Sequence, residues 1–269
     1  MTRRLNTALA ALLLIIGIPF YWYLLDAGPG DARPKPVTMT QLRALARSID
    51  GPLPSELRVE TIARQDVSRN LLVAASGLRA VPIRLRAYQL LADGERITID
   101  AGTSGPAAQS ENFDYYDPAA QHRVDVAVAQ AQVVLALGNT PLRNGGRPVG
   151  RSAPRTIEVL PGHGPRAVAA GIVVVPLAGL DPGAALIYAR LASGREILFT
   201  GAVARTEASW RDTTLPARVA TMGEPRGYRS ELAAWLTTIN ALHQQAPQMV
   251  IVPDYDPEII PLSAGTFSE

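Results

Sequence analysis

The chain of 269 residues has no cysteine, a single lysine (Lys35) and three histidines. Without cysteine there can be no disulfide, no zinc–thiolate site and no thiol nucleophile. An excess of charge is missing too: 26 basic against 24 acidic residues leave +2 at neutral pH, and no basic cluster interleaved with aromatics occurs. Nothing therefore points to nucleic acid as a partner. No G-x-x-x-x-G-K-[ST] or G-x-G-x-x-G follows a strand, which leaves nucleotide binding unsupported. The absence of G-x-S-x-G does the same for a serine hydrolase of the α/β type.

What is present is an apolar fraction of 47%. That composition is neither disordered nor fibrous and suits one large domain or two small ones. At the N-terminus, Arg3 and Arg4 precede an uncharged run from Leu5 to Leu25. A helix of about 20 residues rises ~30 Å, the thickness of a bilayer's hydrocarbon core. Phe20, Tyr21, Trp22 and Tyr23 fall near its far end, where an interfacial aromatic belt belongs. The arginines favour the cytoplasmic side, so the expected arrangement is a single-pass anchor of a bacterial inner membrane with the rest of the chain in the periplasm. A cleaved signal peptide is the rival, although bulky Tyr23, Leu24 and Leu25 precede the weak Asp26-Ala27-Gly28. A buried core helix is a third alternative.

Residues 1–26 are thus expected to form the anchor or signal segment, 27–56 a linker with a short helix, and 57–269 the main domain. AGPGDARPKPVT is rich in Gly and Pro, and TMTQLRALARSI places Leu42, Leu45 and Ile49 at helical spacing. The stretch 83–102 predicts a hairpin turning at Ala92-Asp93-Gly94-Glu95, and 184–202 a second turning at Ala192-Ser193-Gly194. Helices are predicted over 118–131 and 230–247, each feeding an apolar strand. GIVVVPLAG (171–179) reads as a further strand. Paired hairpins with helices leading into strands imply an α/β (α+β) protein: a four-layer αββα sandwich of two mixed sheets with helices outside.

This order of elements resembles the metallo-β-lactamase superfamily from about residue 57 onward. ITIDAGTS supplies an Asp-x-Gly with Asp100 and Gly102; VVLALGNTPLRNGG stands where T-H-x-H-x-D-H-x-G-G is expected. AGLDPGA, EILFTGA and IVPDYD follow in the order of the family's later motifs. Aligned on Gly145-Gly146, the family's metal-ligand positions hold Gly138, Thr140, Leu142, Arg143, Leu180, Ala202 and Tyr255. The resemblance implies zinc, yet none of these is His or Asp. A catalytic zinc takes about three protein ligands and an open position for water. The expectations are therefore no cofactor, no catalytic residue, and a cleft lined by Thr140, Arg143, Asp181, Asp254 and Tyr255. Arg143 paired with Asp254 or Asp256 would partly replace the lost dication.

The histidines do not rebuild a site. His122 and His243 read as helix residues, and His163 sits between glycines in a loop with no matched partner. Asp254 and Asp256 flank Tyr255 and read more readily as strand-end residues than as an acid–base pair. The expected function is a membrane-tethered binding or scaffolding module that has lost metal hydrolysis, holding a small anionic ligand or a protein partner. The alternative is a hydrolase of ester, lactone, thioester or lactam substrates with a non-standard site.

Overall fold

The computed structural model describes residues 2–28, 31–148, 151–157, 159, 164–181, 183–255 and 263–267. Helix α1 (Thr2–Phe20) runs into a π-helical turn, Tyr21–Leu25, in which Asp26 N donates to Tyr21 O at 2.9 Å. Pro19 just before the turn lacks a backbone donor, one known origin of such irregularity. Arg3–Leu25 spans 23 residues with mean hydropathy 2.2 and is not buried within the protein. It is long and apolar enough to cross a membrane, a test that a signal sequence also passes.

The Gly/Pro-rich segment after it is packed against the domain. Lys35 N donates to Thr238 Oγ1 at 2.8 Å, and Lys35 Nζ pairs with Glu231 at 2.5 Å. Helix α2 (Met39–Leu45), capped by Thr38, buries Met39 and Leu42, and Arg43 pairs with Glu196 at 2.7 Å.

The first sheet takes β1 (Glu56–Ser68), β2 (Ala80–Ala92), β3 (Glu95–Ile99), β4 (Tyr115–Tyr116) and β5 (Val133–Leu135), in the order β4-β1-β2-β3-β5. Short helices α3 (Arg69–Leu72) and α4 (Gly105–Ser110) lie in its connections, and α5 (Pro118–Gln130) leads into β5. Asp117 caps α5 by accepting from Ala119 N and Ala120 N, and Pro118 occupies the first turn, where its missing donor costs nothing. The second sheet takes β6 (Arg166–Ala169), β7 (Ile172–Pro176), β8 (Ala185–Arg190), β9 (Glu196–Phe199) and β10 (Val250–Val252), ordered β10-β9-β8-β7-β6. Helices α6 (Glu207–Arg211) and α7 (Tyr228–Gln245) separate β9 from β10. Both expected hairpins form with the expected turns: Leu91 opposes Arg96, and Arg190 opposes Glu196.

The four layers follow from period-2 alternation along the strands. Ile172 and Val174 point into the core shared with Leu90, Ile97 and Ile99 of the first sheet, while Val173 and Val175 meet Leu232, Leu236 and Ile239 of α7. On the far side, Val124, Ala127 and Val128 of α5 pack on Ile62 and Ala87. Each such large aliphatic side chain, removed from water, contributes ~1.5–3 kcal/mol.

One topological fact positions the site. β5 runs parallel to β3 and β10 parallel to β9, while β7 and β9 are both antiparallel to β8. The chain therefore leaves β3, β5, β7, β9 and β10 at one edge of the sandwich. The carboxyl ends of strands are where open α/β sheets characteristically place their ligands.

Candidate functional site

The loops after these five strands interlock. Asp254 N donates to Ala204 O at 2.9 Å and Thr200 N to Val252 O at 3.1 Å, joining the turns after β9 and β10. A Cβ added to Gly201 would stand 3.0 Å from Leu137 Cβ, and one on Gly183 3.0 Å from Asn139 Cβ. The loop after β5 is thus in contact with both the turn at 183 and the turn at 201.

The loop after β5 is held at its base by main-chain bonds. Ala101 N donates to Arg143 O at 2.7 Å, Gly145 N to Gly102 O at 2.9 Å and Gly146 N to Pro141 O at 2.9 Å. Gly145 and Gly146 have φ of +77° and +74°, and a Cβ at Gly146 would lie 2.8 Å from Ser104 N. Glycine is required there both for the left-handed backbone and for the close approach.

The centre of the site is Arg143, 5% exposed. Its Nη1 donates to Asp100 Oδ2 at 2.6 Å, and its Nη2 donates to Asp254 Oδ1. Asp100 is 1% exposed and adopts φ +63°, uncommon for a residue with a side chain. Its Oδ1 accepts from Leu137 N at 2.8 Å, so one carboxylate ties the ends of β3 and β5 to the guanidinium. Burial pushes the Asp100 carboxyl up to about 6, against the lowering by Arg143 and by the Leu137 amide. Burial also opposes the charge on Arg143, but Asp254 and Asp100 outweigh it and hold the guanidinium protonated.

The structure brings some of the expected cleft residues together and separates others. Arg143 and Asp254 pair directly. Thr140 shapes the turn, its carbonyl accepting from Arg143 N at 2.9 Å and Asn144 N at 3.1 Å. Tyr255 is near enough that Asp254, first, and then burial raise its phenol. It also lines a second cavity, of about 350 Å³, with Leu72, Val73 and Thr206. Asp181 belongs to a neighbouring group: next to burial, it is the main influence raising Glu224, and Tyr228 to about 12. Leu142 joins the apolar cluster of Leu72 and Phe113, and Leu180 packs toward α7. His163 and Asp256 lie outside the described residues. His243 stacks edge-on with Trp210, ring centroids 4.8 Å apart, within the α6–α7 contact.

Asp100 is the residue that reasoning about the cleft left out. Its signal was available: an Asp-x-Gly at the end of a strand, quoted for its likeness but not assigned to the pocket. Asp100 and Asp254 already pair with Arg143, the group from which an anionic ligand was expected.

Beside Arg143 lies a cavity of about 220 Å³, lined among others by Ala101, Leu135, Asn139, Asn144, Ser152 and Ile157. Its polar side chains are the amides of Asn139 and Asn144 and the hydroxyls of Ser152 and Thr156, with the paired Arg143 guanidinium the one charged group among them. Asn144 Nδ2 donates to Arg151 O at 3.1 Å and its Oδ1 accepts from Arg147 N at 2.9 Å, fixing the amide in the wall.

The architecture is an αββα sandwich, and the fold is that of the metallo-β-lactamase superfamily. An N-acyl homoserine lactone hydrolase, solved with N-hexanoyl-L-homoserine bound at its catalytic metal centre, is similar over 76% of this chain and 94% of its own, at 14% identity and TM-score 0.59. A probable metal-dependent hydrolase from Staphylococcus aureus covers 77% of this chain and 92% of its own, at 10% identity and TM-score 0.56. A further hydrolase of the β-lactamase superfamily covers 78% and 92%, at 14% and TM-score 0.51. No protein-family profile matches the chain, and no curated sequence is significantly similar to it.

These likenesses correct the expectation of no cofactor: the proteins sharing the fold include one with a catalytic metal centre and one that is metal-dependent. The expectation extrapolated from seven aligned positions to the whole protein, which side chains brought in from elsewhere in the fold can defeat. The described residues do not by themselves fit a zinc centre. Among them no group of three or more His, Cys, Asp or Glu stands where it could hold a metal ion. The two carboxylates that do converge enclose a guanidinium.

Proposed function

We propose that the chain is a membrane-tethered protein of hydrolase architecture whose working pocket is the cavity beside Arg143, and that this pocket takes a small uncharged carbonyl compound: an ester, lactone, thioester or lactam. The observation that supports the proposal is the convergence of strand-end loops on a cavity whose lining includes Asn139, Asn144, Ser152 and Thr156 together with Leu135 and Ile157. Amides and hydroxyls suit a neutral carbonyl group, and the aliphatic lining suits its alkyl portion.

Hydrolysis of that compound is the reading supported by the likeness to a lactone hydrolase and a metal-dependent hydrolase. This chain's own contribution is to orient the ligand through Asn139 and Asn144 and to hold the loops rigid through Arg143. A second reading, binding without turnover, is favoured by one specific observation. Gly138, Leu142, Leu180 and Ala202, which stand at positions aligned with the family's metal ligands, carry no side chain able to move a proton or ligate a metal. With Arg3 and Arg4 kept on the cytoplasmic side, the domain would work in the periplasm of a bacterial inner membrane.

The test is an assay of the full-length protein in detergent with ester, lactone, thioester and lactam substrates, with and without zinc or manganese. Turnover that falls in Asn139→Leu establishes the hydrolase. Thermal protection by a lactone without turnover under any condition leaves the binding module. Neither turnover nor protection overturns both readings.

A further inference from the structure

The π-helical turn after α1, together with Asp26 and Ala27 that follow it, is clamped to the domain. Leu24 O accepts from Asn70 Nδ2 at 2.9 Å and from Ala75 N at 3.2 Å. Asp26 O accepts from Arg229 Nη2 at 3.0 Å, and Ala27 O from Leu215 N at 3.3 Å. The Asp26 carboxylate pairs with Arg218, whose guanidinium lies 4.0 Å from the centroid of the Trp22 ring. These contacts come from α3 and the turn after it, from the 215–218 segment and from the start of α7. They fix the height of the domain against the apolar segment.

The clamp sets a 3-10 turn, Arg218–Thr221, beside that segment. Val219 and Met222 are 40% and 64% exposed. They form one wall of a groove of about 420 Å³ whose other wall is Pro19, Phe20, Tyr23 and Leu24. All six are apolar or aromatic, and the last four lie within Arg3–Leu25. Leu78, 66% exposed, lies three residues beyond Ala75 in the loop that touches Leu24. Scattered exposed apolar residues need no explanation, but these three are carried by two loops that both contact the end of one apolar helix.

We propose that this face of the globular domain is seated in the outer interface of the bilayer, with Val219, Met222 and Leu78 among the lipids and a lipid acyl chain lying in the groove against α1. The proposal rests on reading Arg3–Leu25 as a membrane span. Lipid is the occupant because the groove is continuous with that span: one of its walls is hydrocarbon-facing surface wherever α1 crosses the membrane. Arg218 stacks on Trp22 at the level where interfacial aromatics and headgroups meet. The cavity beside Arg143 is then held at a fixed height and tilt over the membrane.

The lack of cysteine makes the test direct. Val219→Cys, Met222→Cys, Leu78→Cys and, as control, Glu95→Cys in the β2–β3 turn are each labelled with a nitroxide in the full-length protein. The labelled proteins are reconstituted in phosphatidylcholine vesicles and probed with oxygen, which concentrates in lipid, and with a water-soluble nickel chelate. The expected result is an oxygen-to-nickel collision ratio several-fold higher at 219, 222 and 78 than at 95. Ratios at 219 and 222 equal to that at 95, in protein that resists alkaline carbonate extraction, overturn the docking while leaving the span intact. Release of the protein by carbonate overturns the span reading and the docking with it.

Discussion

Arg143 Nη1 lies 2.6 Å from Asp100 Oδ2, joining the loop after β5 to the end of β3. With Asp254 on its other amino group, the same guanidinium ties the first sheet to the end of β10 in the second. A buried charge is costly to desolvate, and this one is tolerated because two carboxylates and a main-chain amide complete the cluster.

Removing one member should therefore be severe. Arg143→Met is expected to cost about 3–5 kcal/mol, since it strands two buried carboxylates. Urea unfolding measures it. The triple replacement Arg143→Met, Asp100→Asn, Asp254→Asn is expected to recover most of that loss, and failure to recover any would show that the side-chain shape, not charge balance, holds the loops.

The Asp100 carboxyl, raised to about 6 by burial, makes stability depend on pH. Its unfolded value is about 3.9. Because the folded value is the higher one, the folded state binds the extra proton between them. This group's stabilisation is full below pH ~4 and is lost as pH rises through ~6, by about 3 kcal/mol in total. In Asp100→Asn that fall should disappear from a plot of unfolding free energy against pH, and an unchanged slope would refute the assignment.

Gly146→Ala should destabilise by more than about 1 kcal/mol, because alanine disfavours the left-handed backbone. Its φ is +74°, and the new Cβ would stand 2.8 Å from Ser104 N. Trimming the Ser104 side chain should not restore stability, since both the conformation and the main-chain contact remain. Thermal melts of Gly146→Ala and of Gly146→Ala with Ser104→Gly check this.

An uncleaved anchor predicts that protein isolated from membranes keeps residues Met1–Leu25, which intact-mass measurement reads directly. A mass matching a start near Ala27 or Gly28 would instead identify a cleaved leader.

Much of the fold was legible because it is written in periodicity. Residues 172–175 alternate between the two core layers, and Leu232, Leu236 and Ile239 repeat at helical spacing on the buried face of α7. Turn chemistry located both hairpins, since Gly94 (φ +73°) and Gly194 (φ +82°) supply the left-handed backbone a tight reversal needs. The packed course of residues 31–45 was not legible: Gly and Pro signal irregular backbone, but not whether Lys35 will find Glu231 and Thr238 roughly two hundred positions away.

The sequence by itself determined which residue types stand at the strand ends, and hence that Arg143 is available to face a carboxylate there. It also determined that a long apolar helix begins the chain. Only the tertiary structure decided that the partners are Asp100 and Asp254 together, that Asp181 belongs to another cluster, and that the end of α1 is clamped under the 218–222 turn. The physical reason is range. Local pattern fixes helix, strand and turn over a few residues, whereas a charge's partner and a surface's exposure depend on which distant loops parallel strands deliver to the same edge.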